Sequence, residues 1–203
     1  MRANKCIGKS TMRTHKAPRR ARDIIQRGSA AGLLTALMTM ANAANPPTLT
    51  PGIPGEGAMH PFPDAAYQPQ KNVTYKVVFA VTKAGDTPNE VNPALERVAR
   101  TVNLYASAGV PLSHLKFVAV VSGPATGATL DDAHYRDKFG VANPSLALIH
   151  KLRAAGVDVA VCGQAVLDNH FEIAWISRDV TLALSALTTI TVLQQQGYAL
   201  MPL

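Results

Sequence analysis

Chemistry in this chain has few residues to rest on, and the first is Cys162. It follows an apolar run, Val157 to Val161 (VDVAV), and leads straight into Gly163-Gln164 and a short helical stretch. A thiol at such a junction lies at the carboxyl end of a buried strand, where open α/β sheets bind their ligands. Amides at the start of the following helix favour a thiolate there, and glycine at 163 lets the backbone approach a bound group closely. Two readings of Cys162 stay open: a nucleophilic thiol, or a small buried hydrophobe, which free cysteine often is.

A cysteine hydrolase would need a base and a group to orient it. His170, eight residues on with Asp168 nearby, is the candidate acid/base. His134 lies in a polar stretch and His150 on a helix, where surface roles explain them equally well. The histidines are isolated, and no His-x-x-His or Cys-x-x-Cys spacing occurs, so no metal site is expected. Ser122-Gly123 opens the loop Gly123-Pro124-Ala125-Thr126-Gly127 after another apolar run, at the same edge as Cys162. Together with Gly163 and Gln164 these residues would support the thiol. The loop lacks the Lys-Ser/Thr of a phosphate-binding loop, and no G-x-G-x-x-G is present. Neither ATP, a dinucleotide nor any other cofactor is expected.

These residues need elements to position them. Val73 to Thr82 (VTYKVVFAVT) is β-branched and aromatic, the first strand. Asn92-Pro93 offers a helix cap followed by proline at the first helical position. The helix carries Leu95, Val98, Val102 and Tyr105 until Gly109 ends it. Leu115 to Val121 is a second strand. Asp131 to Phe139 is a short helix or ordered loop, and Asn143-Pro144 repeats the cap-and-proline device before a helix that runs to Gly156. Val157 to Val161 is the third strand. Ala165 to His170 suggests a short helix, and Val180 to Leu184 a fourth strand. Ala186 to Gln196 reads as a helix, and Tyr198 to Met201 as the last strand. Such alternation gives a single three-layer α/β/α domain with a mainly parallel five-stranded sheet, spanning residues 71–203.

Ahead of it the composition changes twice. Seven of the 14 prolines fall between Ala44 and Gln70, which predicts an extended, solvated arm because proline removes backbone donors and disfavours helix before it; the alternative has Met59-His60-Pro61-Phe62 tucked against the domain or a neighbouring subunit. Before Gly28 stand nine basic residues and one acid, a net +8, and then an apolar run from Ser29 to Ala41 that ends in Ala41-Asn42-Ala43. A basic region, an apolar stretch of 13 residues and an A-x-A site describe a cleavable export signal over residues 1–43. The stretch is too short to span a bilayer, which needs about 20 apolar residues. Arg22-Asp23-Ile24-Ile25 is twin-arginine-like, but Ala21 stands where the first arginine belongs, so the general secretory route remains a rival.

This reassigns the charge. The chain has 20 Lys plus Arg against 13 Asp plus Glu and a pI of about 9.6. After Ala43 it has 11 bases and 12 acids, net −1, so nucleic acid loses its electrostatic argument and stable membrane insertion is not expected once the signal is cut. The cut also removes Cys6, which leaves Cys162 alone and no internal disulfide to form.

Four stretches now fall in a suggestive order: Tyr75-Lys76-Val77-Val78-Phe79, Val120-Val121-Ser122-Gly123-Pro124, Val159-Ala160-Val161-Cys162-Gly163-Gln164 and Gln195-Gln196-Gly197-Tyr198-Ala199. Over about 72–203 the chain resembles the DsrE/DsrF-like family. The resemblance implies a flavodoxin-like fold, ring-like homo-oligomers, trimers or hexamers, and a sulfur relay in which Cys162 carries sulfane sulfur as a persulfide between a donor and an acceptor protein. Ser122 departs from it, because many relatives carry histidine there. Export is a second departure and places this protein in the periplasm. The competing expectations are a non-catalytic oligomeric scaffold with Cys162 buried, and a Cys162–His170 hydrolase.

Overall fold

Runs of β-branched and aromatic residues build one sheet in the computed structural model, which describes residues 48–203. The strands are β1 (Tyr75–Val81), β2 (Leu115–Val121), β3 (Asp158–Cys162), β4 (Thr181–Ala183) and β5 (Ala199–Pro202), in the order β4-β3-β2-β1-β5. Every pairing is parallel, and β1 and β2 stay in register from Tyr75↔Leu115 to Val81↔Val121. The expected export signal, with Cys6, lies outside the described residues.

Chain direction decides which face each helix covers. From β1 to β4 the strands are added on one side, so right-handed crossovers put α1 (Pro93–Ser107) and α3 (Leu146–Ala154) on one face. The return from β4 to β5 reverses direction and must cross the opposite face. There α5 (Ala186–Gln195) packs on β1 and β2. The large core holds Phe79, Phe117, Leu95, Val98, Ile149 and Leu152 between the sheet and the first pair of helices. A smaller one holds Val78, Val120, Cys162, Ala165 and Ala186, with Ile190 and Leu193 of α5 against it. The result is three layers in a flavodoxin-like arrangement.

Local chemistry sets the helix ends. Asn92 Oδ1 accepts from the amides of Ala94 and Leu95, and Gly109 takes the left-handed conformation (φ 82°) just past the end of α1. Asp131 caps α2 (Asp132–Phe139) by accepting from the His134 amide. The second cap-and-proline device works differently from expectation. Asn143 is buried and spends its oxygen on Ser145 N and its amide protons on the carbonyls of Ala128 and Leu130. It ties the preceding loop down, and α3 begins only at Leu146.

The proline-rich segment also departs from the extended, solvated arm. Leu49 and Met59 pair as an antiparallel bridge, and Ile53 and Met59 are buried. Asn103 of α1, fully buried, explains why. Its Oδ1 accepts from Gly52 N and Ile53 N at 2.8 Å each, and its Nδ2 donates to the carbonyls of Glu56 and Gly57. Four backbone groups that proline-rich chain would leave to water are satisfied by one side chain. Gly57 (φ 55°) fits because a Cβ there would lie 2.2 Å from Arg100 N. Residues 49–59 thus form a strap bound to α1, joined to α3 through Glu56 Oε1 and Lys151 Nζ at 2.6 Å.

Glu56 of the strap and Glu96 of α1 are shifted in opposite directions. The Lys151 ammonium holds Glu56 below the usual carboxylate range. Burial, and then the neighbouring Glu56, push Glu96 above it. Glu56 therefore contributes stability above the ordinary carboxylate value and loses it as pH falls through its lowered value. Glu96 contributes below that value, and the contribution is gone at neutral pH, where its charge is a cost. We expect Glu96→Gln to raise the melting temperature at pH 7 and to lose that gain as pH falls through the raised value of Glu96 towards 4.5, read from thermal melts across pH. Asn103→Ala leaves buried amides unpaired and should cost roughly 3 kcal/mol in urea unfolding, with faster hydrogen exchange over residues 49–59.

Candidate functional site

The carboxyl edge of the sheet gathers the residues singled out by sequence. Val121 pairs with Val161, so Ser122, one residue past the end of β2, stands beside Cys162, the last residue of β3. On the other side Cys162 pairs with Ala183 of β4. The chain then turns at once into α4 (Gly163–Asp168), two residues earlier than the helix expected from Ala165. Cys162 is its cap, and its Sγ accepts from the Ala165 amide at 3.4 Å.

Pleating decides where the thiol points. Val159 and Val161 face the large core, so Cys162, like Val120 and Val78, faces the α5 side. There it packs against Ala165 and Ala186, the first residue of α5. The sulfur therefore lies near the starts of two helices, whose leading amides favour negative charge. Cys162 is 5% exposed.

The supporting residues hold the junction shut. Gly163 permits close packing of β4, since a Cβ there would sit 3.0 Å from the Ala183 carbonyl oxygen. Gln164 Nε2 donates to Leu184 O at 3.3 Å and so ties the start of α4 to the loop before α5. Ser122 N donates to Val81 O, and Gly123 turns the chain in the left-handed region at φ 57°. The structure thus brings Cys162, Gly163, Gln164, Ser122 and Gly123 together.

His170 is not among them. It is exposed, in the left-handed region at φ 58°, beyond the far end of α4, a helix about 9 Å long. The helix separates it from the thiol, and the Cys162–His170 pair of a hydrolase is not formed. Asp168 is exposed on the same end.

A different histidine is held in a defined pose. His134 Nδ1 faces both carboxylate oxygens of Asp131, at 2.8 and 2.9 Å, which requires a proton on Nδ1. Its ring stacks on Trp175, centroids 4.9 Å apart and planes 12° off parallel. The His134 amide first, and then the ring, hold Asp131 below the usual carboxylate range. Sequence places His134 only in a polar stretch, and nothing in it announces a tryptophan 41 residues later as the stacking partner. Among the described residues, no helix is long and apolar enough to cross a membrane.

Comparison with known proteins bears on the whole domain. A model of the DsrE/DsrF-like family matches residues 75–203. A solved structure of a protein of unknown function from Methanobacterium thermoautotrophicum is similar to the chain, with 17% identity and a TM-score of 0.48, over 64% of this chain and 99% of that one. No curated protein matches it.

Asp131→Ala removes the cap of α2 and the partner of His134 together. It should cost about 1 kcal/mol of stability and free the His134 ring from Trp175, seen as a downfield move of its ring-proton resonances. Unchanged resonances would mean that stacking holds the ring without the carboxylate.

Proposed function

The chain belongs to the DsrE/DsrF-like family, and on that footing we propose that it is a sulfur-handling protein whose Cys162 accepts and donates sulfane sulfur. The observation that carries this reading is the place of the thiol: at a strand's carboxyl end, an amide donating to its sulfur, the starts of α4 and α5 beside it. That setting suits an anion, whether thiolate or persulfide. In the loading step the thiolate attacks the outer sulfur of a donor such as thiosulfate. A new S–S bond forms on Cys162, the donor S–S bond breaks, and its electron pair leaves with sulfite. In unloading, an acceptor thiolate attacks the outer sulfur and Cys162 departs as thiolate. No net oxidant is needed.

The export signal read in residues 1–43 supports a periplasmic setting, in which a mature chain of net charge −1 works with protein partners rather than nucleic acid. A homo-oligomer, trimer or hexamer, is part of the proposal. Apolar side chains favour it: Leu184 is 73% and Leu187 81% exposed, with Leu182, Val192 and Leu200 also open to solvent. Burying one leucine is worth about 1.5–3 kcal/mol, so covering Leu184 and Leu187, three residues apart at the start of α5, would favour association.

A second reading has its own support, because Cys162 is 5% exposed and packed among Val78, Val120, Ala165 and Ala186. In it the protein is a non-catalytic scaffold and the thiol a filler. Mass spectrometry of folded protein after incubation with thiosulfate, and separately with polysulfide, separates the two. One added sulfur on Cys162, lost with dithiothreitol and absent in Cys162→Ser, is expected; no adduct with either donor means the scaffold. In sedimentation velocity the protein should run as a trimer or hexamer, and Leu187→Glu should shift it to monomer. A monomeric parent protein would remove the oligomer from the proposal.

A further inference from the structure

A cavity of about 260 Å³ opens between the loop that follows β1 and the turn that follows β2. It is separate from the thiol: none of Val78, Val120, Cys162, Ala165 or Ala186 lines it. It lies at the carboxyl ends of β1 and β2, the edge at which α/β sheets take ligands, and its volume is just below that of drug-sized pockets, which sets the occupant as small.

The walls are built and pinned. Tyr135 of α2 is buried and donates its hydroxyl to Pro88 O at 2.7 Å, which fixes one wall to the opposite loop. Asn92 closes the base, donating through Nδ2 to Lys83 O and through its amide to Ser145 Oγ. Ser145, 2% exposed, lines the cavity with a hydroxyl whose oxygen is already an acceptor for Asn92, so its proton and second lone pair are the buried polar capacity left for an occupant. Tyr135 and Phe139, ring centroids 4.5 Å apart, supply aromatic surface.

Charge selects the class. Asp86 and Glu90 are the charged residues of the lining, which holds no Lys, Arg or His. Neither carboxylate takes part in any ion pair among the described residues. Sulfite, thiosulfate and other anions would meet two negative charges and no base. A compact cation would meet the acidic side chains of the lining and, on its apolar side, aromatic rings, whose faces attract cations.

We propose that this cavity binds a small organic ammonium ion, its charge between Asp86 and Glu90 and its alkyl part against Tyr135 and Phe139. The reading is independent of any role for Cys162.

Isothermal titration calorimetry on the full chain tests it with four probes: choline, n-butylammonium, the neutral choline isostere 3,3-dimethylbutanol, and thiosulfate. At least one ammonium probe should bind saturably at one site, with the neutral isostere weaker by about tenfold or more and thiosulfate silent. The paired variant Asp86→Asn/Glu90→Gln, exposed and shape-conserving, should keep the fold by circular dichroism and lose the ammonium probe by about tenfold or more. Failure of both ammonium probes to bind overturns the proposal, as does equal binding of the isostere or unchanged affinity in the paired variant. Should that variant unfold, chemical-shift changes in the parent protein decide: they must centre on residues 84–92 and 135–139, and changes elsewhere overturn it.

Discussion

A parallel sheet must be covered on both faces, and this chain has unequal means of doing so. Burying apolar strand residues is the main favourable term in folding, and α1 and α3 meet that demand on one side with a broad core. The reversal between β4 and β5 leaves the other side to α5, which reaches β1 and β2. Most of what is distinctive about the molecule follows from that asymmetry. In the smaller core Cys162 is grouped with Ala165 and Ala186 of the two helices and with Val78 and Val120 of the sheet. The asymmetry also leaves β4 and β5, the two edge strands, largely open, with Leu182 and Leu200 in solvent.

The thiol is therefore placed by architecture rather than by a catalytic motif. Strand β3 ends at Cys162 because the next residue must start a helix, and glycine at 163 lets that turn pass close to the Ala183 carbonyl. The same turn aims the Ala165 amide at sulfur. Among the described residues the adjacent strand end is taken by Ser122, and His170 is at the far end of α4. Chemistry at this site must come from the anion-favouring backbone and from whatever donor or acceptor is brought to it. Sulfur transfer meets that condition, because thiolate attack on sulfane sulfur needs no base held beside the nucleophile once the thiol is ionised. Acyl hydrolysis does not.

Much of this was legible in sequence. The strand from Leu115 to Val121 was bounded without error because its apolar run is closed by proline-containing turns on both sides, and Asn92-Pro93 acts as the cap it resembles. Asn143-Pro144 has the same local signature, yet its side chain is claimed by carbonyls of a loop 13 and 15 residues away, a demand no local pattern records. The strap over residues 49–59 was missed for a related reason. Proline-rich composition reports poor local hydrogen bonding, but it cannot say that Asn103, some 50 residues on, supplies the missing partners. At the candidate site, the sheet register puts Ser122 beside Cys162, and Gly163 and Gln164 open α4. Sequence misplaced His170, because eight residues in sequence became the length of a helix in space.

The proposed sulfur transfer requires that the Cys162 thiol, although packed in the smaller core, be a working nucleophile in the folded protein. Its second-order rate of alkylation by iodoacetamide under native conditions, compared with the rate in denaturant at the same pH, measures this directly. Stoichiometric modification of Cys162 in the native state, at a rate that rises linearly with reagent, is expected. Modification only at the rate of global unfolding, independent of reagent concentration, would contradict it.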